Sequence, residues 1–510
     1  MKKLLIVLAA TALLSSVCFA KDLKIGIASG ALAMDPYYQN ETTTNSILSN
    51  IFDSLISFDK DIKTKPSLAV SWANPEPTVW ILKLRKGVKF HNGNNFNADD
   101  VIFSFDRVKN WDKSGFKSTV AMIESFSKID DFTVKFVTKK PFPILLRKLT
   151  YVGILDKETV EGKSNEWITL NPVGTGPYKL VTWRKGDLIK LTAYNDHWRG
   201  KPEIENVVFR PLTNNATRVA AILSGEVDII NRVPVVDVAR VRRNDKLNFF
   251  VKPGLRLIFL QMDQFREDSP HIKSPTGKNP FLDVRVRKAL FYGINEDAIV
   301  KYVMKDFAIP AAQFSPSVVF GYDPSIEREK YDPKKAKELL AEAGYPNGFE
   351  VQLDSPNNRY INDSQIAQAV AASLSKIGIK VTVNATPKST FWAENRKLNT
   401  SFFLMGWASA DGDASSILDA IVHSYDTVKG FGNRGRFSNA EVDALIDQSS
   451  AIMNPDERLK YLQKAQKIAL TDLQCFIPLH YQVDLYAFGK TINFEPRTDS
   501  RIWVFDISTQ

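Results

Sequence analysis

A chain of 510 residues exceeds the roughly 250–300 at which a single hydrophobic core stops growing, so a one-core domain is excluded and two or more lobes are required. The formal net charge of +10 is spread along the chain, in groups such as Lys139-Lys140, Arg240 with Arg242-Arg243, and Lys334-Lys335. Spread charge reads as solvated surface and argues against nucleic acid as a partner.

The N-terminus reads as a secretory signal: Lys2 and Lys3, an apolar stretch over 4–14, then Cys18-Phe19-Ala20 before charged Lys21-Asp22. That stretch is shorter than the roughly 20 residues a bilayer-spanning helix needs. Cleavage after Ala20 and a soluble periplasmic product are expected. Val17 stands where lipoprotein signals carry a small residue, which disfavours acylation of Cys18. Cys475 is then the cysteine that remains, so no intramolecular disulfide is expected; its apolar neighbours Phe476 and Ile477 make it a small buried hydrophobe.

In chain order, Leu23-Lys24-Ile25-Gly26-Ile27-Ala28 alternates as a half-buried strand and stops at Met34-Asp35-Pro36. Strand patterns recur over 80–84, 132–136, 188–191 and 207–209. Lys86-Gly87 and Asn92-Gly93 are turn signals, and Asn97-Ala98-Asp99-Asp100 offers caps before apolar Val101-Ile102-Phe103. Asp332 suits an N-cap and Pro333 a first turn. Ala336, Leu339, Leu340 and Ala343 then fall at helical spacing, and Gly344 closes the end. A second helix is expected over about 364–376, passing through Ile377-Gly378 into the strand Ile379-Lys380-Val381-Thr382-Val383. Strands alternating with helices indicate an α/β fold. No repeat or low-complexity linker separates the lobes, so they are expected to be joined by ordered strands that cross more than once, with a hinge and a ligand cleft.

The segments WILKLRKGVKFHNGNNFNADDV (80–101), GTGPYKL (174–180), YNDHWRGKP (194–202), LSGEVDI (223–229) and FLDVRVRKALFYGIN (281–295) form one long pattern. DSPNNRYINDSQIAQ (354–368), MGWASADGDASSIL (405–418) and IPLHYQVDLYAF (477–488) continue it. The pattern resembles the peptide- and nickel-binding family of periplasmic solute-binding proteins along essentially the whole chain. The resemblance implies a two-lobe periplasmic binding protein fold with hinge strands, the crossings lying near Leu257-Ile258-Phe259-Leu260 and Leu479-His480-Tyr481-Gln482-Val483. It implies a signal peptide (1–20), lobe one in parts (21–57, 185–258 and 485–510), a subdomain inserted in lobe one (58–184), and lobe two (259–484). The implied function is capture of short peptides for an ABC importer, with an inner-membrane permease and its cytoplasmic ATPases as partners. A monomer without cofactor is expected.

A peptide zwitterion sealed from water needs a carboxylate for its ammonium and a cation for its carboxylate, because an unpaired buried charge costs several kcal/mol. Peptide binders of this family carry the amine-clamping aspartate three positions after a tryptophan. After Trp407 that position is Ala410, so Asp411 and Asp413 are the candidates to replace it; Asp411-Gly412-Asp413 is equally good turn chemistry. For the anionic end the first candidate is Arg359, then Arg434 and Arg436, since guanidinium matches carboxylate bidentately. Trp407 and Tyr37 are candidates for the pocket wall.

Two alternatives remain open at this point. Nickel-chelate binders of the same family carry a coordinating histidine in the loop after the tryptophan, where this chain has Ser415; His480 is a metal ligand only under that alternative, and a lone histidine makes no metal site of its own. A secreted hydrolase is the remote alternative, but GxSxG and HExxH are both missing.

Overall fold

The computed structural model describes residues 22–426 and 428–510; the proposed signal peptide lies outside the described residues. Two long strands organise the molecule, Leu247–Met262 and Ile477–Gly489. They pair antiparallel from Leu247 opposite Gly489 to Leu260 opposite Ile477. From Leu255 to Met262 every side chain but Arg256 is buried, as a near-continuous apolar run demands of a strand covered on both faces. The ladder slips between Pro253 and Leu257. Gly254 lies within the slip, where a Cβ would stand 2.8 Å from the Gln482 carbonyl oxygen. A residue without a side chain is required for that close approach.

On one side of the slip the pair extends into lobe one. There Ile477–Gly489 pairs with Ile229–Asn231, followed by Leu23–Ile27, Asn206–Pro211, Leu188–Ala193 and Tyr178–Arg184. On the other side it extends into lobe two, where Leu247–Met262 pairs with Phe402–Ala408, followed by Glu350–Pro356 and Lys380–Thr386. The boundaries expected after residues 258 and 484 fall inside these two strands, and the one expected at 184 falls between the strands of the hairpin 178–193. A separate four-stranded antiparallel sheet is built from Ala69–Glu76, Val79–Leu84, Thr133–Thr138 and Ile123–Asp130. Helix Ala98–Asn110 covers it, held at its start by the reciprocal capping box of Asn97 and Asp100.

The helix read from Asp332 runs Pro333–Glu342, with the Asp332 carboxylate accepting from the Lys334 and Lys335 amides. The second expected helix is Asp363–Ser375, and the strand after it is Lys380–Thr386. Within each lobe the main strands run parallel: Leu23–Ile27 with its neighbours Asn206–Pro211 and Ile229–Asn231, and Glu350–Pro356 with Lys380–Thr386 and Phe402–Ala408. In open α/β sheets ligands bind beyond the carboxyl ends of such strands. Those ends carry the loops 28–33, 212–214 and 232–234 in lobe one and 357–362 and 409–413 in lobe two.

Candidate functional site

One buried side chain sets the lobe-one rim. Arg218, on helix Asn215–Ser224, donates to the carbonyls of Leu212 (2.7 Å), Asn231 (3.1 Å) and Arg232 (2.9 Å) and to the Asn215 side chain (2.8 Å). It thereby ties together the ends of two parallel strands and holds Arg232 at a positive φ of 52°. Burial first, and then the nearby charge of Arg232, push the Arg218 pKa down to about 10.

In lobe two, buried Asp363 accepts the amides of Arg359 (2.8 Å), Tyr360 (3.0 Å) and Ser364 (3.0 Å), fixing the loop that carries Arg359. Tyr360 donates its hydroxyl to the Gly406 carbonyl (3.2 Å). Two guanidinium groups lie against this one ring, Arg359 at 5.2 Å and Arg256 at 5.9 Å from its centroid. Among the described residues the Arg359 guanidinium has no hydrogen-bond or ion-pair partner. Arg256 has only a long contact to the Gly406 carbonyl (3.5 Å). Burial first, then the positive charge of Arg359, lower the Arg256 pKa to about 10, and the charges of Arg232 and Asp484 also reach it. Asp484 on the crossing strand accepts the Ser500 hydroxyl; burial raises its pKa against the pull of that bond and of Arg232 and Arg256. The crossover thus holds Arg232, Arg256 and Arg359 against Asp484.

The candidates after Trp407 have separate fates. Asp413 caps helix Ala414–Ile417 and takes both ends of the Arg458 guanidinium, at 2.8 and 2.7 Å. Burial pushes its pKa up, but Arg458 and Ser415 outweigh that and hold it below the usual carboxylate range. Asp411 reaches out of lobe two: Lys148 Nζ lies 2.7 Å from Oδ2, the Ser416 hydroxyl donates to the same oxygen, and Arg147 donates to the Asp411 carbonyl at 2.7 Å. Lys148 belongs to helix Leu145–Leu149, whose Leu145 and Leu149 are buried in the lobe-one core. At Gly412, with φ +70°, a Cβ would meet Arg147 Nη1 at 2.7 Å and Ile62 Cδ1 at 2.8 Å. Phe58 and Ile62 of lobe one join the lobe-two cluster of Leu257, Phe314 and Met405. Segments 58–62 and 145–149 are therefore in contact with this loop and the cluster beneath it.

Trp407 is half-buried, its ring 5.5 Å from that of Phe431. Arg434 and Arg436 form a group apart from Arg359: Arg436 stacks on Tyr425 at 3.6 Å, and burial and then the Arg436 charge lower the Arg434 pKa. Tyr37, expected at the pocket wall, is packed inside the fold. Its ring is fully buried, it donates to the Gly153 carbonyl at 2.6 Å, and the Arg107 guanidinium, which is paired with Asp35, lies 5.3 Å from its centroid. His480 is also fully buried, and burial, then the charge of Arg328, lower its pKa to about 3. Among the described residues no group of three or more His, Cys, Asp or Glu is placed to hold a metal ion. Two concavities lie inside single lobes, one lined by Asp53, Arg199, Arg497 and Trp503 and the other by Tyr292, Arg328 and Tyr331.

Sequence reasoning missed Arg256, Arg232, Lys148 and Arg458. Arg256 did carry a signal, as the single charge in the apolar run Gly254-Leu255-Arg256-Leu257-Ile258.

A continuous sheet crossing twice between two lobes, with facing rims at the carboxyl ends of parallel strands, defines a two-lobe solute-binding protein. The chain belongs to family 5 of the bacterial extracellular solute-binding proteins, whose middle region matches residues 63–429. It is thereby a solute-binding component of an ABC importer. It is 30% identical over 496 residues to the glutathione-binding protein GsiB of Escherichia coli, covering 95% of this chain and 93% of that one. The ABC transporter-associated periplasmic binding protein DppA of Helicobacter pylori, in complex with the peptide STSA, superposes with a TM-score of 0.81 at 25% identity, covering 96% of this chain and 98% of that one. NikZ of Campylobacter jejuni, in complex with Ni(L-His), has a TM-score of 0.81 at 24% identity over 96% of this chain and 99% of that one, a likeness of fold alone. Among the described residues no helix is long and apolar enough to cross a membrane.

Proposed function

We propose that this protein captures short peptides in the periplasm and hands them to an inner-membrane permease driven by cytoplasmic ATPases. The observation that carries the reading is the pair of guanidinium groups around Tyr360, Arg359 and Arg256, neither of which makes an ion pair with a carboxylate among the described residues. A ligand carboxylate supplies what is missing there, in the bidentate geometry arginine favours. The peptide-bound and glutathione-binding relatives support the same class of ligand. The proposed lobes are 21–258 with 485–510, and 259–484, the stretch 58–184 being inserted in the first. The protein works as a monomer and turns nothing over.

Calorimetric titration with short peptides, glutathione, and nickel with and without free histidine tests this. Binding in the peptide or glutathione arm is expected, with Arg359→Gln weakening it by about 30-fold, in keeping with about 2 kcal/mol for a charge-assisted bond. Tight binding confined to the arm holding nickel and histidine overturns the reading, as does hydrolysis of a bound peptide.

A further inference from the structure

A buried carboxylate in the loop after Trp407 requires a cation of matching charge, brought by a ligand or by the protein itself. Here that cation is already present in the protein. Lys148 Nζ stands 2.7 Å from Asp411 Oδ2, the Ser416 hydroxyl donates to the same oxygen, and the two charged side chains are 22% and 4% exposed. The other carboxylate of the loop, Asp413, is taken by Arg458 through two bonds. The loop hydroxyls are engaged as well, Ser409 with Ser315 at 3.1 Å and Ser415 with Asp413 at 2.8 Å. What the crossover leaves without an ion pair among the described residues is positive, the guanidinium groups of Arg232, Arg256 and Arg359: of the carboxylates near them, Asp499 is paired with Arg497, Asp363 holds backbone amides, and Asp484 accepts the Ser500 hydroxyl.

We infer that Lys148 takes the place of the ligand's ammonium, so that the cleft accepts anionic short peptides whether their amino group is free or acylated. This rests on the peptide reading above and specifies its ligand class. The lysine is carried by lobe one and the aspartate by lobe two, so the pair forms only with the lobes together. Closure thereby neutralises Asp411 without any contribution from the ligand. A ligand bringing an ammonium to this region meets guanidinium groups and no free carboxylate in the loop. A ligand bringing a second carboxylate meets opposite charge, and like against opposite charge in a partly dry cleft decides affinity.

The test uses acidic tripeptides, each with a free N-terminus and again N-acetylated, titrated into the full mature protein. Acetylation is expected to change affinity by less than about threefold, and C-terminal amidation to weaken it by more than about tenfold. In Lys148→Met the Asp411 carboxylate loses its ion pair on closure and keeps only the Ser416 hydroxyl, Arg147 being engaged at the Asp411 carbonyl. The acetylated set should then lose at least about tenfold more affinity than the free set, whose ammonium substitutes for the lysine. Adding Asp411→Asn to Lys148→Met should restore the acetylated set. If free peptides bind and acetylation costs more than about 30-fold, Lys148 does not replace the ligand amine, while the peptide reading stands. Equal losses of both sets in Lys148→Met would reduce the pair to a closing contact and overturn the inference. Binding of no peptide in either form sinks the parent reading instead.

Discussion

The two rims that face each other across the crossover are anchored by charges of opposite sign. In lobe one a buried cation, Arg218, gathers backbone carbonyls at the ends of two strands. In lobe two buried anions gather backbone amides: Asp363 holds the loop of Arg359, and Asp413 caps a helix while paired with Arg458. Carbonyls and amides left bare in a dry rim would each cost about 1–3 kcal/mol, so each rim carries the one sign that satisfies its exposed backbone groups. Both solutions fix main chain, leaving the guanidinium groups of Arg232, Arg256 and Arg359 without an ion pair among the described residues. They differ in how they answer to pH, because a guanidinium keeps its proton where a carboxylate gains one.

The comparison is broken most severely by Arg218→Met. It leaves three carbonyls without their donor, and a loss of about 5 kcal/mol in urea unfolding is expected. Asp413→Ala strands the Arg458 charge in the interior, for an expected loss of about 4 kcal/mol by the same measurement. The acid limb then separates the two anchors. Asp413 has its folded pKa depressed below 3.8, so its stabilisation is present above the unfolded value and is lost as pH falls through the folded one. Stability measured downward from pH 5 should therefore fall less steeply in Asp413→Asn than in the parent. Arg218→Met should run parallel to the parent over the same range, since Arg218 stays protonated throughout it. A parallel acid limb for Asp413→Asn would show that the Arg458 pair does not set the response of this rim.

Much of the frame was readable from local chemistry. The Asp332-Pro333 start fixed one helix because capping and first-turn preferences act within a few residues, and the apolar runs of the crossing strands gave away their burial. Arg359 was singled out because guanidinium matches a carboxylate bidentately, and its loop is held by a nearby residue, Asp363. The roles of Asp411 and Asp413 were not readable: the spacing that makes them turn residues is local, whereas their partners lie 263 and 45 residues away. The packing of Tyr37 was hidden for the same reason, its acceptor Gly153 being 116 residues distant. Pairings across such distances are set by how the lobes fold and meet, and no spacing within one segment records them.

The smallest and most selective disturbance falls where the rims touch. Gly412 holds φ +70°, a conformation that costs an L-residue about 1–2 kcal/mol, and alanine there adds a methyl group 2.7 Å from Arg147 Nη1 and 2.8 Å from Ile62 Cδ1. Arg147 and Ile62 belong to lobe one, so the clash exists only with the lobes together, while the φ strain exists in both arrangements. Gly412→Ala should then lower unliganded stability by no more than about 1–2 kcal/mol and weaken ligand binding by about tenfold, read by thermal unfolding and titration on the same preparation. Because the loss comes from closure and not from a ligand contact, it should be the same for every ligand that closes the protein, unlike the selective losses expected of Lys148→Met. Ligand-dependent losses in Gly412→Ala would instead place this loop in direct contact with the bound solute.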